Sequence, residues 1–366
     1  MRQLHQLNDN EKELLTVLGK YPQIPLKELL SLTSYRWAST IAKKIEQFKE
    51  LKIVVGPTYF ADHTKLCRNP LHRLLCVLES NKSYEAVLSY LKLIEPLMRI
   101  YPVLSQRVLL IAGYLSSDNQ KVQTLFQLLK DNDIITDYSL HVRQHYLVQE
   151  NPDFFGDPLP SLNNLLDLCD VPDRPFGNYE IELSECDIRT LSYLQGEYES
   201  PKLIEILRKE RKLHDRKWTY EQIKYSFRKL VNNKLIERKY FISPFPLTQC
   251  ADFYMFLKTD DPLLTKRILH NFGRGGRLYR EYVLCDDGGM IGCLCHPVFL
   301  TDLMLKLDKI EEIREKKLYH LRSFPPGILY VGENAELDHY DVDTQTLVYP
   351  YHLFRERIKK KIEMSE

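Results

Sequence analysis

The chain is short of net charge, of long apolar runs and of catalytic signatures. Its 366 residues carry 51 Lys and Arg against 50 Asp and Glu, a formal net charge of +1. So small a charge excludes a global basic field, and any nucleic-acid surface has to come from local clusters of Lys and Arg. No apolar run approaches the roughly 18–20 residues of a bilayer span. The opening Met1-Arg2-Gln3-Leu4-His5-Gln6 lacks the apolar core of a signal peptide. Together these absences set a cytoplasmic protein with no membrane partner as the expectation. No nucleophile elbow, phosphate-binding loop, dinucleotide-binding glycine set or His-Glu-x-x-His stretch occurs. Gly273-Arg274-Gly275-Gly276 reads as a flexible turn. The expectation is therefore a protein that is not an enzyme, with no catalytic residue, cofactor or metal.

What is present is ordinary globular composition, 44% hydrophobic and 28% charged, on a chain long enough for two to four compact units. The eight cysteines are scattered among charged, helix-forming segments, so reduced thiols are expected rather than disulfides. Residues Leu7 to Gly56 hold three short helices. Asn8 or Asp9 caps the first, with Leu14, Leu15, Val17 and Leu18 inward; Leu26, Leu29 and Leu30 face inward from the second. Thr33 or Ser34 caps the third, which carries Ile41, Ile45 and Phe48 at helical spacing and runs to about Leu51. Val54 to Phe60 reads as strand, Gly-Pro turn, strand, a wing. The next segment alternates strand (72–79), helix (84–95), two strands (97–104 and 107–115), helix (119–130) and strand (133–147), the βαββαβ order of a ferredoxin-like domain.

Pro152, Pro158, Pro160, Pro172 and Pro175 mark 149–178 as a linker, with one short helix expected at 162–168. The same element order then recurs: a capped helix from Ser184, a helix from Pro201, a third helix at 219–233, a wing at 235–242 and a second βαββαβ set to residue 322. The fold class is α+β, two winged helix-turn-helix domains each followed by a ferredoxin-like domain. The expected boundaries are 1–66, 67–148, the linker 149–180, 181–246, 247–323 and a C-terminal extension 324–366. That extension is aromatic around Tyr330 and 340–351, and ends in a basic helix expected to be solvated.

This order resembles the Lrp/AsnC, or feast/famine, transcription regulators. The family's Leu-Asp-x-x-Asp-x-x-Ile-Leu opening is similar to Leu7-Asn8-Asp9-Asn10-Glu11-Lys12-Glu13-Leu14-Leu15. Its Arg-Ile-x-x-Leu-x-x-x-Gly-x-Ile-x-Gly pattern is similar to Lys44 through Gly56, with Lys52 in place of the helix-ending glycine. The resemblance covers about residues 7–147 and 183–322 and implies a fused, diverged tandem of a unit that usually dimerises. The loop near the family's amino-acid effector site is replaced by Leu104-Ser105-Gln106-Arg107 and by Cys285-Asp286-Asp287-Gly288-Gly289. The effector is left unidentified.

The resemblance implies double-stranded DNA as partner, and homo-oligomers through the ferredoxin-like domains. At the start of the first reading helix, Arg36, Ser39 and Thr40 have the chemistry to read base edges, and Lys43 and Lys44 to contact phosphates. In the second copy Lys217, Lys224, Arg228, Lys229, Arg238 and Lys239 suit phosphate contact. Cys285, Cys293, Cys295 and His296 are zinc-donor types, but without knuckle spacing they are expected to pack in the core. Relatives of the same architecture include sirohaem decarboxylases, which use His and Arg in the ferredoxin-like cleft. Here His141, Arg143 and His145, with Arg277, Arg280 and His320, are read as surface polar alternation. A tetrapyrrole enzyme of that type, and an interaction scaffold that has lost DNA contact, are the alternative readings.

Overall fold

The computed structural model describes residues 7–172, 176–195, 201–213, 218–322 and 335–364. The chain begins with α1 (Asp9–Lys20), α2 (Leu26–Leu32), α3 (Ala38–Glu50) and β1 (Val54–Ala61). It continues through β2 (His72–Ser80), α4 (Tyr84–Leu91), β3 (Leu97–Pro102), β4 (Val108–Ser116), α5 (Asn119–Asp131), β5 (Asp137–Val142) and the short β6 (Val148–Glu150). The order then repeats as α6 (Glu185–Leu194), α7 (Leu203–Leu213), α8 (Tyr220–Asn232), β7 (Ile236–Ile242), β8 (Ala251–Thr259), α9 (Pro262–Asn271), β9 (Tyr279–Cys285), β10 (Gly288–Cys295), α10 (Pro297–Leu307) and β11 (Ile313–His320). The extension adds β12 (Tyr340–Asp341), β13 (Thr346–Leu347) and α11 (Tyr351–Glu363). The fold is α+β, with winged helix and ferredoxin-like elements in both halves.

The local chemistry of the two three-helix units is the same. Asn8 Oδ1 accepts the Glu11 N–H and Glu11 Oε2 accepts the Asn8 N–H, each at 3.0 Å, a capping box at the start of α1. The other oxygen of the buried Glu11 carboxylate takes Lys44 Nζ of α3 at 2.9 Å. Ser184 and Asp187 form the corresponding box on α6, and Lys229 Nζ of α8 reaches Asp187 Oδ2 at 2.7 Å. Each third helix ends in a left-handed lysine, Lys52 at φ 55° and Lys234 at φ 53°. The next N–H bonds back to Phe48 O or Leu230 O, a Schellman-type stop that glycine more often makes. The third helix begins at Ala38 after Trp37, not at a Thr33 or Ser34 cap. Val54–Ala61 is one continuous strand rather than a hairpin, and it pairs with β7.

Both ferredoxin-like sheets are antiparallel. Their orders correspond: β3-β4-β2-β5 in the first, and β9-β10-β8-β11 in the second, which gains β6 beside β9. The compact units do not follow sequence adjacency. One contains Met1–Thr58, Gln144–Pro175 and Arg238–Leu321; the other contains Tyr59–Arg143, Phe176–Glu237 and Arg322–Glu366. In the first unit, the segment expected as a linker supplies β6, Phe154 for the core around α1–α3, and Leu162 and Leu165 for the core beneath the second sheet. No helix forms at 162–168, where the chain makes turns.

In the second unit one continuous core joins the first sheet, α6–α8 and the C-terminal extension. The buried Gln345 side chain accepts the Leu183 N–H at 2.6 Å and donates to Leu183 O at 2.8 Å, while Arg68 N–H bonds to Gln345 O at 2.9 Å. Helix α11 packs on α5 and buries Tyr351, Phe354 and Ile358, so it is docked rather than solvated on all sides.

Asp187 is 1% exposed. Burial alone would raise its carboxyl, but the bonds from Lys229, Ser226 and Ser184 outweigh this and hold it below the ordinary value. The stabilisation is therefore present above the unfolded carboxylate range and is lost as pH falls through the depressed value. Lys229→Met should cost about 2–3 kcal/mol in urea unfolding at pH 7, somewhat less than the ~3–5 of a fully buried pair. Adding Asp187→Asn should restore much of that loss, and a double variant no better than the single one would show the pair does not act as described.

Candidate functional site

Gly113 lies on the central strand β4, opposite Arg99 of β3. A Cβ at position 113 would stand 2.8 Å from Arg99 Cγ and 3.2 Å from its Nε. Glycine therefore lets the arginine stem lie flat across the sheet. Arg99 is 4% exposed, with its guanidinium 5.5 Å from the Tyr101 ring. Arg143 follows β5, where its N–H bonds Arg73 O at 3.1 Å, and its side chain is buried. Arg73, Arg99 and Arg143 line, with Leu74, Met98, Gly113 and Tyr114, one small cleft. Three arginines around one small cleft supply positive charge suited to carboxylate oxygens.

Behind Arg73 stands His63, buried in the second unit. Arg73 Nη2 donates to Ala61 O at 3.1 Å and to His63 Nδ1 at 2.8 Å. An arginine only donates, so Nδ1 is the acceptor and the ring proton is on Nε2. That proton points to Gln195 Oε1 at 3.1 Å, and Gln195 Nε2 donates to Ala335 O at 2.8 Å. Burial first, and then the Arg73 charge, push the His63 pKa down to about 3, so the imidazole is neutral at physiological pH.

The surface reading of the polar alternation is corrected here. His141 and Arg143 are each 6% exposed, and Arg280 is 1% exposed. The face of the first sheet that carries His141 and Arg143 also carries buried Leu75 and Val77, so both faces of that sheet are covered and alternation no longer separates inside from outside. Arg280 is structural: it bonds Glu150 of β6 at 2.9 Å, His270 O at 2.7 Å and Phe272 O. His145, Arg277 and His320 are partly exposed.

The second sheet repeats the glycine notch with the opposite charge. Gly292 lies opposite Glu281, and a Cβ there would stand 2.8 Å from Tyr254 Cε1 and 2.9 Å from Glu281 Cγ. Asp252 occupies the register position that Arg73 holds in the first sheet. Burial, then the Glu281 charge, push the Asp252 carboxyl up to about 7. Among the described residues the arginine-lined arrangement occurs once. Cys285, Cys293 and Cys295 are buried in this second sheet, and burial pushes the Cys293 thiol well up. His296 turns away to cap α10 through Val298 N–H at 3.3 Å. No group of three His, Cys, Asp or Glu side chains able to hold a metal forms among the described residues.

The expected DNA-reading residues fall in both compact units. Arg36, Ser39 and Lys43 are exposed at the start of α3, Thr40 is half-buried, and Lys44 is bonded to Glu11. Trp37, which sequence reasoning passed over, is 70% exposed beside Arg36. On α8 Arg228 is exposed, Lys224 pairs with Glu221 at 3.5 Å and Lys229 is committed to Asp187. Arg238 stacks over Tyr240 and Lys239 bonds Gln149 at 3.2 Å, both in the other compact unit from α8. Lys217 lies outside the described residues.

No family model matches the chain, and no curated protein does. Among solved structures, the siroheme decarboxylase NirDL, in complex with an iron-uroporphyrin III analogue, aligns with 98% of this chain and 100% of its own at 11% identity and a TM-score of 0.47. LrpC of B. subtilis aligns with 37% of this chain and 94% of its own at 15% identity and a TM-score of 0.31. E. coli AsnC aligns with 38% and 92%, at 14% identity and a TM-score of 0.28. At such identities the likeness is one of fold. It does overturn the expectation of a protein that is not an enzyme, since NirDL, aligned over 98% of this chain, is an enzyme. No helix among the described residues is long and apolar enough to cross a membrane.

Asp252 has a folded pKa of about 7, above the ordinary ~3.9 of an unfolded Asp. Its contribution to stability is therefore complete below about pH 4 and is lost as pH rises toward about 7. Asp252→Asn should flatten the fall in urea midpoint across that window and leave the variant more stable than the parent near pH 8. An unchanged slope would show that another group sets it.

Proposed function

We propose that this chain is an enzyme acting on a carboxylate-rich tetrapyrrole, of the kind NirDL is named for. The observation that carries the reading is the gathering of Arg73, Arg99 and Arg143 around the Gly113 notch. The cleft is too small to enclose a macrocycle, so in this reading a carboxylate arm meets the arginines at its mouth and the ring stays outside. In a decarboxylation the C–C bond to the departing carboxylate breaks, CO2 leaves, and the remaining carbon takes a proton. The arginines hold the neighbouring carboxylates and so fix which arm reacts. Titration with iron-uroporphyrin III should shift the Soret band. Arg99→Leu should weaken binding about tenfold or more, the worth of one charge-assisted hydrogen bond at ~1.5–3 kcal/mol. A Soret band that never moves on adding the wild-type chain would sink this reading.

A second reading, a transcription regulator on double-stranded DNA, is favoured by one observation. The start of α3 presents Arg36, Trp37, Ser39 and Lys43 to solvent, as a major-groove helix would. In a mobility-shift titration affinity should fall steeply with salt, and Lys43→Ala should reduce the salt slope by about one. Binding that ignores salt, or equal binding by Arg36→Ala and Lys43→Ala, would remove it.

A further inference from the structure

We infer that His63 and Gln195 are positioning residues for Arg73, setting its guanidinium in the cleft and tying it to the end of α6. The inference rests on the reading of that cleft as a carboxylate site.

The connection is continuous and directional. Arg73 donates to His63 Nδ1 at 2.8 Å, His63 Nε2–H faces Gln195 Oε1 at 3.1 Å, and Gln195 Nε2 donates to Ala335 O at 2.8 Å. Each bond fixes the next. The carbonyl of Ala335 accepts only, so it sets which way the Gln195 amide points. The amide oxygen then holds the ring proton on Nε2, which leaves Nδ1 as a lone pair for the arginine. His63 and Gln195 are 2% and 3% exposed, so water does not substitute for either partner. The usual role of a buried histidine is a satisfied core residue. Here its acceptor nitrogen is bonded to a cation that lines a cleft, and its neutral state is what makes that bond available.

Gln195 also closes α6. Its N–H bonds Leu191 O at 3.1 Å as the helix ends, and it bridges Tyr59 in parallel. The direction of Arg73 in the cleft therefore depends on where α6 of the second winged helix comes to rest. An arginine held at two points loses little further freedom when a carboxylate arrives, so its grip is pre-organised. Ligand occupancy and the seating of α6 are linked through the same three bonds, and by reciprocity each favours the other.

The test uses the full chain with iron-uroporphyrin III as probe, and nitrogen-15 NMR of the histidine rings. His63 should remain the neutral Nε2–H tautomer from about pH 5 to pH 8; titration near the ordinary ~6.5, or a proton on Nδ1, would overturn the inference. Gln195→Glu places a carboxylate on the ring proton and should convert His63 to the imidazolium. Both nitrogens then donate, Arg73 loses its acceptor, and probe affinity should fall about tenfold. His63→Asn keeps an oxygen near the Nδ1 position and should bind within about twofold of wild type, whereas His63→Gln, which reaches the Nε2 position instead, should not. Equal binding by the Asn and Gln variants would also overturn it. A wild-type chain that does not bind the probe defeats the cleft reading, while the ring tautomer still decides the His63–Arg73 bond. The same NMR measurement on wild type decides the matter where a variant fails to fold.

Discussion

A lysine on the third helix, bonded to the capping-box carboxylate of the first, closes each three-helix unit. Lys44 to Glu11 and Lys229 to Asp187 are the same device built twice. The carboxylate has two duties. In Glu11 one oxygen accepts the N–H of the capping residue and the other takes the lysine; in Asp187 Oδ2 does both. Because Glu11 and Asp187 are buried, neither duty is available to a water-screened substitute. That bond ties α3 to α1, and α8 to α6, beside the apolar contacts of each core. It also engages Lys44 and Lys229, two of the lysines suited to phosphate contact.

Each winged helix is then joined to the ferredoxin-like sheet of the other half. Two segments without an obvious role as sequence make that possible. Residues 144–175 contribute β6 to the second sheet and Phe154 to the core of α1–α3. The C-terminal extension, through Gln345 and Tyr351, knits the first sheet to α6–α8: Gln345 exchanges two bonds with Leu183, and Tyr351 OH accepts the Ser117 N–H at 3.0 Å. Both are hydrogen-bonding and packing roles spread over many residues, which a scan for helical or strand periodicity does not register.

The two sheets share a glycine on the strand beside the long side chain that needs it, but they differ in sign. Arg73 and Arg99 surround Gly113, whereas Asp252 and Glu281 surround Gly292. The backbone solution was kept and the chemistry changed. The arginine-lined cleft therefore belongs to one sheet of the described chain, and the corresponding place in the other sheet carries carboxylates instead.

Much of the architecture was legible in the sequence. The apolar spacing of Leu14, Leu15 and Leu18, or of Ile41, Ile45 and Phe48, specifies helices and their inward faces by local geometry alone. Ser184 announces its capping box, and the βαββαβ order appears twice because each element carries its own periodicity. The site was legible only as residue types. His141, Arg143 and Arg280 looked like surface alternation, since alternation in one strand cannot say whether the second face of its sheet is covered. Gly113, His63 and Gln195 gave no signal at all. Local propensity and pattern determined which segments are helix or strand and which side of each is apolar. Tertiary structure alone decided which winged helix joins which sheet, which lysines remain on the surface, and that Arg73, Arg99 and Arg143 meet. Those outcomes depend on contacts between residues far apart in the chain, and no short stretch of sequence carries them.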